Sequence, residues 1–327
     1  MGQISFKELS KLPHFKIENE NQMMGRFVLF APFYENDKWI IPIDINEEII
    51  FTEGTPIRSN YISRILINKD TDVYIPFLDF FYKYASWNDI FYHLNSLTND
   101  IQNLYISIEK IDIFQSIKTN RTDLSELVKT EVEYILIICK SLFDTLQKII
   151  SILWNKHIKL LNRNKRNLPE TFRKMVYKDK QKLTVDNIIE KYLIPDKLAE
   201  YYSGICEFYE ALKILRDDII HHGIDIEDIY VFDNGFAISS KTNLFKSYNI
   251  WDDSWKMPND LYSIRPLLQY WISQSLRACN EFVDVIKQVI KFPPSIMPEH
   301  NVYVRTPHLK SYNQMVRELD KGVWWNI

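Results

Sequence analysis

Between Leu124 and about Leu161, the residues Val128, Val132, Ile135, Cys139, Leu142, Leu146, Ile149 and Leu153 recur every three or four positions. That spacing puts them on one face of an α-helix. A stripe so long must lie against other apolar surface, because packing of the apolar face rather than helix propensity supplies most of a helix's stability in a protein. A second stripe runs from near Pro195 to Gly223, formed by Tyr201, Ile205, Phe208, Leu212, Leu215 and Ile219 and bordered by Leu198, Tyr202 and Tyr209. Helical spacing also covers Trp87 to Ile108 and about Leu261 to Lys291, where Pro293-Pro294 stops it. In LPETFRKMV, Pro169 with Glu170 behind it suits a helix start. With 327 residues, 46% of them apolar and only 7 glycines, the chain has the material for a large helical core with few tight turns.

Two regions read differently. Residues 26 to 84 hold RFVLFAPFY, KWIIPIDI and EEIIF, short β-branched and aromatic runs broken by Pro, Asn and Asp, which predict strands. In EDIYVFDNGFAISS, the dipeptide Asn234-Gly235 predicts a β-hairpin with a type I′ turn. The expected fold is therefore mainly α: a helical bundle over 86–294, a β-rich N-terminal module over 1–85, a hairpin after the second long helix, and a docked C-terminal tail over 295–327 with no clear period.

Three cysteines, Cys139, Cys206 and Cys279, lie far apart, so neither a disulfide framework nor a zinc-ligand spacing is present. The start, MGQISFKELSKLPHF, lacks the apolar core of a signal peptide, and the richest apolar runs, YILIIC and IISILW, are too short to span a bilayer. A soluble cytoplasmic protein without membrane contact is the expectation. The net charge of −3 hides an asymmetry: residues 156–182 carry ten basic side chains against two acidic ones. That segment is +8 and the remaining chain −11. Such a run is either a solvated face or a surface for phosphates. On the second reading, Lys159, Arg163, Lys165, Arg166, Arg173 and Lys174 are the RNA-binding candidates.

The end of the second long helix, LRDDIIHHG, sets an arginine, two aspartates and two histidines before a glycine stop. On a helical wheel Arg216 falls inside the apolar stripe, His222 lies at its edge, and His221 points about 140° away from Arg216. A guanidinium keeps its charge, so on that face it needs an acidic partner, an interface or an anionic ligand. Two readings stand. Cations in a last turn suit the helix dipole, and Arg216 could pair with Glu131, Glu133 or Asp144 as architecture. Alternatively, Arg216, Asp217, His221 and His222 form a catalytic cluster.

The string Arg216-Asp217-Asp218-Ile219-Ile220-His221 resembles the R-x4-6-H motif of HEPN domains, the higher eukaryotes and prokaryotes nucleotide-binding family. Its setting at the end of a long helix, after another long helix with acidic residues near its start, is similar to how such domains read. The resemblance covers about Ser86 to Lys291. His222 also fits the permitted spacing, so the histidine assignment stays open. The resemblance implies a metal-independent endoribonuclease that needs no cofactor and acts as a homodimer, the two motifs facing each other across a composite cleft. RNA brings its own nucleophile, the ribose 2′-hydroxyl. Histidine would then move protons and arginine stabilise the phosphorane, with Asp217 beside them. It further implies a toxin or phage-defence role, with an antitoxin or regulatory protein as a partner. The rival expectation is a non-catalytic HEPN-like dimer that binds a nucleotide or a protein.

Other residues carry less. His157 reads as a surface residue of the basic segment, and His14, His93, His300 and His308 have no partner at ligand spacing. No Walker A, G-x-G-x-x-G, G-x-S-x-G or H-E-x-x-H occurs. Asp252-Asp253 reads as a solvated pair.

Overall fold

The computed structural model describes residues 4–117, 121–158, 165–179, 181–222, 228–241, 248 and 250–323, leaving aside the side chains of 121, 122 and 220–222. Helices dominate. The predicted stripe forms α4 (Arg121–Ile152), in which Val128, Val132, Ile135, Cys139, Leu142, Leu146 and Ile149 are all buried. Each such side chain contributes roughly 1.5–3 kcal/mol by leaving water. Around α4 pack α3 (Asn88–Ser116), α7 (Asp196–His222) and α8 (Arg265–Val289), and α7 also packs on α8. The shorter α1 (Phe6–Leu9), α2 (Pro76–Tyr84), α5 (Phe172–Val176), α6 (Val185–Tyr192) and α9 (Leu309–Asp320) flank this core.

The strands β1 (Phe33–Glu35), β2 (Lys38–Ile45), β3 (Glu48–Glu53), β4 (Ser59–Ser63) and β5 (Asp72–Tyr74) confirm a β-rich region before residue 85. That region does not close on itself. The sheet order is β3-β2-β1-β4-β11-β5, and β11 (Asn301–Arg305) comes from the expected tail, inserted antiparallel between β4 and β5. The tail is thus an interior strand followed by a helix that packs on α3. Its middle residues Val302, Tyr303 and Val304 are all buried, so the strand shows no polar alternation. A two-stranded ribbon, β6 (Tyr177–Lys178) with β7 (Gln181–Lys182), follows α5.

Two expected boundaries move. The first long helix does not continue to Leu161: α4 ends at Ile152 and widens into a π-turn over Leu153–His157. Lys165 Nζ donates there to the carbonyls of Trp154 (2.5 Å), Asn155 (3.3 Å) and Ile158 (2.6 Å), satisfying acceptors that a helix end leaves open. The hairpin after α7 exists as β8 (Tyr230–Phe232) and β9 (Gly235–Ser239), extended by β10 (Leu261–Ser263). Phe232 pairs with Gly235, so its two connecting residues are Asp233-Asn234, one position before the expected pair. Gln115 Nε2 donates to the carbonyls of Phe232 (3.0 Å) and Asp233 (2.7 Å), and Ser125 Oγ to that of Ile229 (2.6 Å), which pins the hairpin to α3 and α4. Among the described residues no helix is long and apolar enough to cross a membrane.

Candidate functional site

The α7 stripe is packed as its spacing predicts: Tyr201, Ile205, Leu212 and Leu215 are buried, while Phe208 and Ile219 are partly so. Arg216 does not lie inside that face. Its side chain keeps 30% of its surface exposed, because Leu212 and Leu215 take the core-facing positions and turn the guanidinium to the edge. Arg216 bonds to none of Glu131, Glu133 and Asp144. Glu131 holds Lys110 at 2.8 Å and Asp144 is taken by Lys140. The partner of Arg216 is its neighbour, with Nη1 donating to Asp217 Oδ1 at 2.8 Å. Among the described residues the other guanidinium nitrogens take no partner, and they are not sealed from solvent.

Asp217 is shared. Its Oδ2 receives Lys213 Nζ at 2.7 Å, one turn back on α7, so each carboxylate oxygen holds one cation. Burial pulls the carboxyl upward, but the hydrogen bonds from Lys213 and Arg216 outweigh it and leave the group below its ordinary range. Lys213 was missed in the sequence, although its i, i+4 spacing to Asp217 was there to be read.

Tyr209 joins this cluster to the basic segment. Its ring meets Phe172 of α5 with centroids 4.5 Å apart, and its hydroxyl feels the charges of Asp144, Arg173 and Asp217. Burial, and then the Asp144 charge, push that phenol up. Arg173 is exposed on α5 and takes no partner among the described residues, as does the side chain of Lys174. Of the two, Arg173 stands beside the edge of α7 that carries Asp217, since both charges act on the Tyr209 hydroxyl.

The remaining RNA-binding candidates divide. Lys165 is occupied with the carbonyls at the end of α4, and Arg166 Nη1 donates to Glu190 O (3.2 Å) and Lys191 O (3.1 Å) at the end of α6. Both are spent on helix ends. Lys159, Arg163 and Gly223 lie outside the described residues, as do the side chains of His221 and His222; the backbone of α7 reaches His222.

His157 is not a bare surface residue. Its Nε2 lies 2.9 Å from Asp89 Oδ1, and its ring stacks on Trp87 with centroids 4.2 Å apart and planes 8° from parallel. Sixty-eight residues separate it from Asp89, so no local spacing could have shown the pair. Asp252 Oδ1 accepts from Ser254 N at 2.8 Å and serves a short turn. Among the described residues no three His, Cys, Asp or Glu side chains come together as a metal-holding group. Compared with protein-family models, curated proteins and solved structures, the chain matches none.

Proposed function

We propose that the protein is a metal-independent endoribonuclease whose site is built around Arg216 and Asp217 at the end of α7 and completed by a second copy of the chain. The observation that supports this reading best is the half-open guanidinium of Arg216. Asp217 orients it through one nitrogen, and among the described residues no acid on a facing helix neutralises it and the cation Arg173, which takes no partner, stands beside the same Tyr209. A planar fork with free donors fits the equatorial oxygens of a phosphorane, whose charge grows during cleavage. His221 moves the proton, and the ribose 2′-hydroxyl is the nucleophile, so the chemistry calls for no cofactor. Within one regular helix His221 is turned away from Arg216, and a twofold-related copy brings the two groups together. A toxin or defence role, held in check by an antitoxin or regulatory protein, follows from the HEPN resemblance.

The test is cleavage of total RNA in EDTA. The wild-type chain cuts, and Arg216→Ala and His221→Ala each lower the rate by at least about a hundredfold. Cutting that both variants leave unchanged overturns the reading. RNA binding without cutting favours the non-catalytic dimer, for which the self-contained Lys213–Asp217–Arg216 ladder is then simply architecture.

A further inference from the structure

The Asp89–His157 pair sits apart from the α7 end and has a defined chemistry. A carboxylate only accepts hydrogen bonds, so the neutral imidazole must carry its proton on Nε2, toward Asp89 Oδ1 at 2.9 Å. Nδ1 is then left as a lone-pair acceptor. Among the described residues it takes no partner, and it is not sealed, since the His157 side chain keeps 20% of its surface exposed. The parallel stack on Trp87 holds the ring plane, and Trp87 Nε1 is itself anchored to Met24 O at 2.9 Å. Asp89 is held on its other oxygen by Lys156 Nζ at 3.0 Å. Burial lifts the Asp89 carboxyl, and the bonds from His157 and Lys156 more than reverse this, so it stays ionised and the imidazole stays oriented.

Two further groups stand beside Asp89. Lys156 keeps 61% of its side-chain surface exposed. On α3, Tyr92 lies three residues beyond Asp89 and therefore on the same face, 74% exposed, with its ring edge-on to His93 at 5.4 Å. One corner thus presents a fixed hydrogen-bond acceptor, a cation and an open aromatic face. A single-stranded nucleotide offers the matching parts: a donor on the sugar, a phosphate and a base. DNA lacks the sugar donor.

We propose that this corner is a ribose-reading subsite for single-stranded RNA. His157 Nδ1 accepts from a 2′-hydroxyl, Lys156 meets the adjacent phosphate, and Tyr92 stacks the base. The proposal rests on the RNA reading for its substrate class and adds what selects RNA over DNA, a role separate from the proton transfer assigned to the end of α7.

The test uses the full chain in EDTA with a fluorescent single-stranded oligoribonucleotide and the DNA of the same sequence, affinity read by anisotropy and cutting by denaturing gel in the same mixtures. The wild-type chain prefers the RNA. His157→Phe keeps the stack on Trp87 but removes the acceptor, and it lowers the RNA-to-DNA affinity ratio about five- to tenfold, the worth of one hydrogen bond. Tyr92→Ala, at an exposed position, weakens both ligands about equally and leaves the ratio alone. A ratio that His157→Phe does not move overturns the subsite, whether or not the RNA is cut; cutting that ignores Arg216→Ala overturns the α7 reading alone. A wild-type chain that binds neither strand, or both equally, also overturns the subsite.

Discussion

Phe172 and Tyr209 meet with ring centroids 4.5 Å apart, and through that contact the short helix α5 carries the exposed Arg173 to the side of α7 that bears Asp217. Phe172 is fully buried and also touches Phe143 of α4 and Tyr202 of α7, so it locks three helices at one point. Phe172→Ala should destabilise the fold by about 3–5 kcal/mol, the usual penalty for emptying a buried aromatic site. Chemical denaturation reads the loss, and RNA affinity at a temperature where the variant is still folded should fall with the displacement of α5. A variant as stable as the wild type would mean that Phe172 does not lock these helices.

The Asp217 carboxylate makes the stability of the end of α7 acid-sensitive. Its folded value lies below the ordinary one, so its contribution is fully present above about pH 3.9 and drains as pH falls through the depressed folded value. Asp217→Asn should remove that part of the acid dependence, seen as a smaller drop in Tm between pH 5 and pH 3. It should also free Lys213 and Arg216 and lower cleavage more than it lowers stability at pH 7.

A second acid-sensitive place lies far from the α7 end. His14 is 1% exposed, packs on the Phe33 ring at 5.2 Å and on His300 at 6.0 Å, and among the described residues has a hydrogen-bond partner on neither nitrogen. Burial, with the neighbouring His300 adding to it, pulls its value down to about 3. The unfolded chain takes up this proton below about pH 6.5, whereas the folded chain resists it until about pH 3, so stability falls as pH drops through that window, by at most roughly 1.4 kcal/mol per unit. His14→Phe should raise Tm more at pH 5 than at pH 8. Equal shifts at the two pH values would show that His14 is charged in the folded chain.

Cations of the basic segment should separate into two groups. Lys165→Met leaves three carbonyls at the end of α4 without their donor and should lower stability by about 1–3 kcal/mol, with little change in RNA affinity. Arg173→Ala should leave Tm within about 1 °C of the wild type, as exposed substitutions do. It should weaken RNA binding and reduce the slope of log affinity against log salt by about one phosphate contact. The opposite pattern would exchange the roles of these two residues.

What could be read in the chain follows from the range of the signals. Helix α4 declares itself through a period repeated over eight turns, and the α7 stripe through six residues, because one face of each is continuously apolar. Strand β11 was hidden: five residues with three buried in a row have neither alternation nor length. Arg216 was expected inside the apolar stripe, yet 30% of its side chain stays exposed beside the buried Leu212 and Leu215, and an ideal wheel does not show how far a long side chain reaches out of the face it starts from. The candidate cluster was legible where partners are neighbours, as with Arg216 and Asp217. His157 on Asp89 was not legible, because that contact exists only once two helices distant in sequence have packed; Lys165 reaches carbonyls seven to eleven residues earlier, separations that no helical or strand period encodes.

The composite site makes the sharpest claim, and mixing tests it most directly. Arg216→Ala and His221→Ala chains, each inactive alone, are combined in equal amounts under conditions that exchange subunits, and RNA cleavage in EDTA is followed. In a twofold dimer with arginine from one copy and histidine from the other, half of the dimers are mixed and each restores one of two sites, so about a quarter of wild-type activity returns. Two inactive variants whose mixture stays inactive, although exchange is shown to occur, would contradict a site shared between two copies.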